Sequence, residues 1–141
     1  MFRFRLEKIL QLKSRLRDAK KAELGYVNHR ISQLKEELYR IEDEMVSISF
    51  PEGVVSFDQL QEGYRTLEFL RERGRQIKSE LEQLYQEREK LLNELVQMQK
   101  EVRVLEKLKE RKSEEFRREM LRREVKRLDD FASRRFGSAG S

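Results

Sequence analysis

The chain has no cysteine, and therefore no disulfide framework, thiolate metal site or thiol nucleophile, a composition that fits a reducing cytoplasm. Its 141 residues include one proline and six glycines, and three of those glycines fall in the Pro51-Glu52-Gly53 turn and the Gly137 to Ser141 tail. Almost nothing else interrupts a helix. No run approaches the roughly 18 apolar residues of a membrane span, and Met1-Phe2-Arg3-Phe4-Arg5 lacks the apolar centre of a secretory signal, which predicts a soluble intracellular protein. Histidine occurs once, at His29, which excludes a two-histidine metal site within one chain; His29 is expected in solvent. There is no G-x-x-x-x-G-K phosphate loop, and the adjacent acids Asp129-Asp130 and Glu114-Glu115 read as solvated helix faces. No cofactor and no catalysis are expected, since a seam between two helices offers no water-excluding pocket.

What is abundant is charge. Charged residues make up 42% of the chain and apolar ones 37%, so the chain buries a stripe and not a thick core. The net charge of +5 is unevenly spread. Residues 1–30 carry nine basic and three acidic groups, residues 31–102 carry ten and sixteen, and residues 103–141 carry thirteen and eight. A chain folded back once would gather its two basic ends at one pole and its acidic middle at the other.

Apolar residues fall at Ile9, Leu12, Leu16 and Ala19, then at Leu24, Val27, Ile31, Leu34, Leu38, Ile41, Met45 and Ile48, in steps of three and four. That is a heptad seam with one phase shift between Ala19 and Leu24. Proline and glycine stop it at Ser49 to Gly53. A second helix opens on Ser56 with Gln59 three residues on, a capping-box spacing, and Val55 is placed to pack on Leu60. Leu60, Tyr64 and Leu67, then Leu70, Gly74, Ile77, Leu81, Leu84, Arg88, Leu91, Leu95, Met98, Val102 and Leu105 continue the steps, with a slip between Leu67 and Leu70. Beyond Leu105 the stripe thins through Leu108, Phe116, Met120 or Leu121, Val125, Leu128 and Phe131.

The expected fold is all-α: a long antiparallel two-helix coiled-coil hairpin with an overhanging C-terminal helix, in a single domain over residues 1–141. Helix one is placed at about 3–49, the turn at about 50–56, helix two at about 57–135 and a flexible tail at 137–141. At 1.5 Å per residue the helices would be roughly 70 and 115 Å long. A turn centred near Gly53 sets residue 3 against about residue 103 and leaves about thirty residues overhanging. A parallel dimer of long helices is the alternative, against which the Pro51 to Gly53 stop argues. The apolar segment Ser47 to Asp58 is either buried by a partner or packs on itself.

Two surfaces stand out. Arg111-Lys112, Arg117-Arg118, Arg122-Arg123 and Lys126-Arg127 resemble a phosphate-tracking helix, but Glu114, Glu115, Glu119, Glu124, Asp129 and Asp130 interrupt them. Pairing of Glu with Arg along the helix accounts for that composition without nucleic acid, and an acidic protein is the stronger partner. Tyr39, Phe69 and Tyr85 each follow a seam residue and should project partly to solvent. Tyr39, Tyr64 and Phe69 would lie near one another by the turn, either as a partner-binding patch or as single exposed aromatics of no special role.

The termini carry a more specific signal. Phe2-Arg3-Phe4-Arg5-Leu6-Glu7-Lys8-Ile9-Leu10-Gln11-Leu12-Lys13 resembles the opening of the flagellar export protein FliJ family, an F-x-F pair leading into L-E-x-x-L-x-L and a basic helix. Glu124-Val125-Lys126-Arg127-Leu128-Asp129-Asp130-Phe131-Ala132 is similar to that family's E-x-x-x-L-D-[DE]-x-A ending. The resemblance implies a hairpin like the central shaft of the rotary ATP synthase, its gamma subunit. It implies a non-catalytic stalk in flagellar type III protein export, serving flagellum biogenesis and motility. The open end would enter the hole of the hexameric export ATPase, and the turn end would reach the cytoplasmic domain of the export-gate membrane protein. Export chaperones are further implied partners. The expected location is cytoplasmic, peripheral at the cytoplasmic face of the inner membrane through partners. The equivalent stalk of a virulence type III secretion system and a basic nucleic-acid-binding coiled coil are the alternatives.

On that reading the ATPase-binding residues are Arg3, Arg5, Lys8, Lys13, Arg15 and Arg17 from the first helix, with Phe2 and Phe4 as apolar anchors. Arg117, Arg118, Arg122, Arg123, Lys126 and Arg127 join them from the second. Tyr39, Tyr64 and Phe69 are the export-gate candidates. Phe2 and Phe4 have an alternative role as simple caps on the end of the seam.

Overall fold

The computed structural model describes residues 1–48 and 56–139; the expected turn, the Val55 staple and the last two tail residues lie outside them. The fold is all-helical. Two long helices, α1 (Glu7–Ser47) and α2 (Phe57–Ala139), make up the described regular structure, with no strand among the described residues. The chain divides into two compact units. One comprises Met1–Arg17 with Gln97–Ser141, the other Asp18–Val96.

Helix α1 starts at Glu7, not near residue 3. The Phe4 carbonyl accepts the Glu7 N–H at 3.1 Å and the Leu6 carbonyl accepts that of Leu10 at 2.9 Å, so the residues before them act as an entry turn. Glu7 suits the positive end of the helix dipole. Helix α2 starts where the sequence places it: the Ser56 hydroxyl accepts the Gln59 N–H at 3.3 Å, occupying one of the unpaired first-turn donors. The helix runs to Ala139, past the expected end at 135.

In the Asp18–Val96 unit, Val27, Ile31, Leu34 and Ile41 of α1 are buried in one cluster with Leu70, Ile77, Leu81 and Leu91 of α2. Leu34 and Ile77 are 0% exposed. Leu24, Leu38, Met45, Ile48, Leu84 and Tyr85 pack against them. Three ion pairs flank the cluster: Lys20 with Glu94 at 2.9 Å, Arg30 with Glu80 at 3.2 Å and Glu37 with Arg73 at 2.9 Å. Numbers rise on one helix as they fall on the other. Tyr85, expected to project partly to solvent, is half-buried, with the Lys35 ammonium 5.6 Å and the Arg88 guanidinium 5.0 Å from its ring centre.

In the other unit, Leu10 and Val102 are buried, Lys13 pairs with Glu101 at 3.0 Å, and Glu7 pairs with Lys109 at 2.8 Å. The Glu7 Oε2 atom is buried, and the Lys109 ammonium supplies a compensating charge at 2.8 Å. Phe2 stacks on Phe116 with ring centres 5.7 Å apart, thirteen residues further along α2 than the expected partner of residue 3 would suggest. Most of that offset is the register of the helix pair itself: Glu7 already meets Lys109 and Lys13 meets Glu101, eight to ten positions further along α2 than a turn centred on Gly53 would set them.

The buried ladders differ from the sequence reading in two places. Ile9, Leu12, Leu16 and Ala19 are exposed, Leu12 by 57%. The rungs are Leu10, Lys13 and Arg17 in one unit and Lys20, Leu24 and Val27 in the other, all buried or half-buried. Counting back from Val27 in alternating steps of three and four lands on each of them, so no phase shift is needed. Period outranks composition here, since Lys and Arg stems are long enough to bury while their charged heads reach an edge. In α2, Tyr64 is 59% exposed and Gly63 takes the rung, which removes the expected slip at Leu67 to Leu70.

Candidate functional site

The N-terminal residues Met1 to Leu6 lie along α2 and form with it an open cleft of about 960 Å³, walled by Leu108, Lys112, Glu115, Phe116 and Glu119. Phe2 and Phe4 are half-buried there, while Arg3 and Arg5 project from the same short segment and are exposed. The two aromatic side chains thus spend part of their surface inside the chain, on Phe116 in the case of Phe2. The apolar rings take the burial that α2 offers, while the charged heads of Arg3 and Arg5, which also border the cleft, keep to solvent.

Farther along α1, Lys8 and Arg15 are exposed, and Arg15 lines a shallow groove with Glu106 and Glu110. Lys13 is held by Glu101, and its hydrogen bond keeps the Glu101 carboxyl below the usual carboxylate range. Arg17 is half-buried. Of the predicted cationic set, Lys13 therefore already has a partner within the chain.

On α2, residues 117–137 are exposed throughout except Glu119, which is half-buried. Arg118 bonds Glu114 at 3.2 Å, Arg122 and Arg123 both approach Glu119 at 3.5 Å, and Lys112 approaches Glu115 at 3.5 Å. These are the same-helix pairs that the interleaved charges suggest. Lys126 and Arg127 border a shallow depression with Asp130, Phe131 and Arg134, and Arg117 is exposed.

Tyr39, Tyr64 and Phe69, all in the Asp18–Val96 unit, are exposed large side chains. His29 is exposed as well. Among the described residues no group of three or more His, Cys, Asp or Glu side chains is placed to hold a metal ion. Among the described residues no helix is long and apolar enough to cross a membrane.

Sequence reasoning missed two features. The first is the partnership of Phe2 with Phe116, whose only trace is an isolated aromatic where the α2 stripe thins. The second is the exposed row Ile9, Leu12 and Leu16, taken for the buried seam; continuity with Leu24 would have exposed the error.

The charge separates with the units. Met1–Arg17 with Gln97–Ser141 holds twenty basic against ten acidic residues, and Asp18–Val96 holds twelve against seventeen. Against known protein families, the chain matches the one described as Flagellar FliJ protein, over residues 1–141. The chain belongs to the FliJ family, a family of flagellar protein export. Comparison with curated proteins and with solved structures returns no match.

Proposed function

We propose that the chain is the stalk of the flagellar export ATPase: an antiparallel coiled-coil hairpin whose cationic terminal unit, continued by an overhanging α2, enters the central hole of the hexamer. The observation that carries this reading is the net ten positive charges of the terminal unit beside the net five negative charges of the other. An acidic ring lining would steer and orient such an end, each exposed pair adding little and several together fixing direction. Arg3, Arg5, Lys8, Arg15, Arg17, Arg117, Arg118, Arg122, Arg123, Lys126 and Arg127 are the contact residues, with Lys13 engaged through its pair with Glu101. Phe2 and Phe4 anchor the tip.

A lopsided rod in a sixfold ring cannot touch all six subunits alike, and so biases their states. Tyr39, Tyr64 and Phe69 are the export-gate contacts, and export chaperones bind elsewhere on the stalk. Association with the inner membrane runs through these partners. The same-helix pairing of Lys112, Arg118, Arg122 and Arg123 with carboxylates weighs against nucleic acid, which would have to compete for those cations.

Titrating the purified ATPase with the chain tests this. Stimulation should saturate near one chain per six subunits, and R3E/R5E/R122E/R123E should abolish it. Saturation at one chain per subunit would refute insertion.

A further inference from the structure

The exposed end of α2 carries an apolar row that its own chain does not face. Leu121, Val125, Leu128 and Ala132 follow steps of four, three and four, and the first three are 56%, 55% and 61% exposed. At 100° per residue this row lies about 150° around α2 from the residues that wall the N-terminal cleft, Leu108, Lys112, Glu115, Phe116 and Glu119. The segment Met1 to Leu6 is committed to the other side of the helix. The row is not the tail of the buried ladder either: continued from Val102 and Leu105 in steps of four and three, that ladder arrives at Glu119 and Arg123.

Two such heptads suit a helix, and the residues beside the row decide which one. Arg117 and Glu124 flank it on one edge, Arg122 and Asp129 on the other. Arg117, Glu124 and Asp129 make no ion pair among the described residues, and Arg122 has only its surface contact with Glu119. In a parallel pair of two copies, Arg117 would meet Arg122 and Glu124 would meet Asp129. In an antiparallel pair with the rows superposed, Glu124 would meet Glu124 and Asp129 would meet Asp129, by the edge-to-edge spacing that sets Arg30 against Glu80. Both self-pairings oppose like charges. An anionic bilayer fits no better, since Glu124 and Asp129 sit at both margins of the apolar row, at headgroup level.

We infer that this row docks an amphipathic helix of a different protein, running parallel to α2, with carboxylates beside Arg117 and Arg122 and basic side chains beside Glu124 and Asp129. The inference goes beyond the ATPase reading and does not rest on it, because it is read without any ATPase.

Full-length chains test it. R117E/R122E/E124K/D129K reverses both edges and leaves the apolar row intact. By sedimentation, the wild type and the variant should each remain monomeric alone, and their mixture should form a 1:1 heterodimer at least about tenfold tighter than either homodimer. Adding V125D/L128D to the variant should abolish the heterodimer, while helicity by circular dichroism reports that each chain is folded. A mixture that stays monomeric overturns the inference. So does a wild-type homodimer sensitive to V125D/L128D, or capture of the wild type by phosphatidylglycerol vesicles that V125D/L128D removes.

Discussion

Lys13 occupies a rung of α1 where the heptad calls for an apolar side chain, and its ammonium reaches Glu101 Oε2 on α2 at 3.0 Å. Lys20 repeats the arrangement with Glu94 at 2.9 Å. Each pair keeps a cation on the ladder by drawing its head to an edge. Replacing such pairs with apolar side chains is commonly neutral or stabilising. K13L/E101L and K20L/E94L, which replace both partners, are therefore expected to hold or raise Tm in thermal circular dichroism. A fall in Tm would mean that the pairs, and not the stems, hold these rungs.

The same pairs set a pH dependence. Hydrogen bonds from Lys20 and Lys13 hold the Glu94 and Glu101 carboxyls below their ordinary range, and the bond to Glu94 raises Lys20. A depressed carboxyl contributes stability that is present at neutral pH and disappears as the pH falls below about 4.3, through the folded value. A raised lysine contributes below about 10.4 and loses its share as the pH climbs through its folded value. E94Q/E101Q should flatten the loss of Tm between pH 5 and pH 3. An unchanged acid slope would place the acid sensitivity elsewhere.

Gly74 sits on a rung of α2 where an added Cβ would lie 3.8 Å from Ile41 Cγ2 and 3.9 Å from Leu38 Cδ1, ordinary contact distances. Glycine inside a helix costs about 1 kcal/mol relative to alanine. G74A should thus stabilise the chain by about 0.5–1 kcal/mol in urea melts, and I77A, emptying a fully buried position, should cost about 2–5 kcal/mol. Destabilisation by G74A would show that the helices approach more closely at this rung.

Phe2 and Phe116 fix the N-terminal segment on α2. A double-mutant cycle of F2A and F116A should return a coupling of about 0.5–1.5 kcal/mol, with faster amide exchange from Glu7 to Leu10 in either single variant. Additive effects would mean that the rings do not act together.

Much of this was legible in the sequence. The two helices, the Ser56 start, the rungs from Leu24 to Ile48 and those from Leu67 to Leu105 follow from spacing alone, because each apolar side chain there has only one face on which to be buried. The misplaced row at Ile9, Leu12 and Leu16 shows the limit: two stripes competed, and hydropathy favoured the row that the helix pair leaves in solvent. Tyr64 displaced Gly63 from the reading for the same reason, since a glycine carries no hydropathy signal although a rung accepts it. Of the candidate site, the cationic character of both termini was visible. That Lys13 is spoken for by Glu101, and that Phe2 folds onto Phe116, depends on register across the pair, which no single-helix pattern encodes.

The return of the chain on itself is the claim on which the stalk reading depends. Spin labels at the exposed positions Arg15 and Arg103, measured by pulsed dipolar spectroscopy in a sample diluted with unlabelled chain, test it most directly. Packed helices lie about 8–10 Å apart, so a distance below about 30 Å, unchanged by dilution, is predicted. A separation beyond about 50 Å within one molecule, or a short distance that vanishes on dilution, would contradict the account.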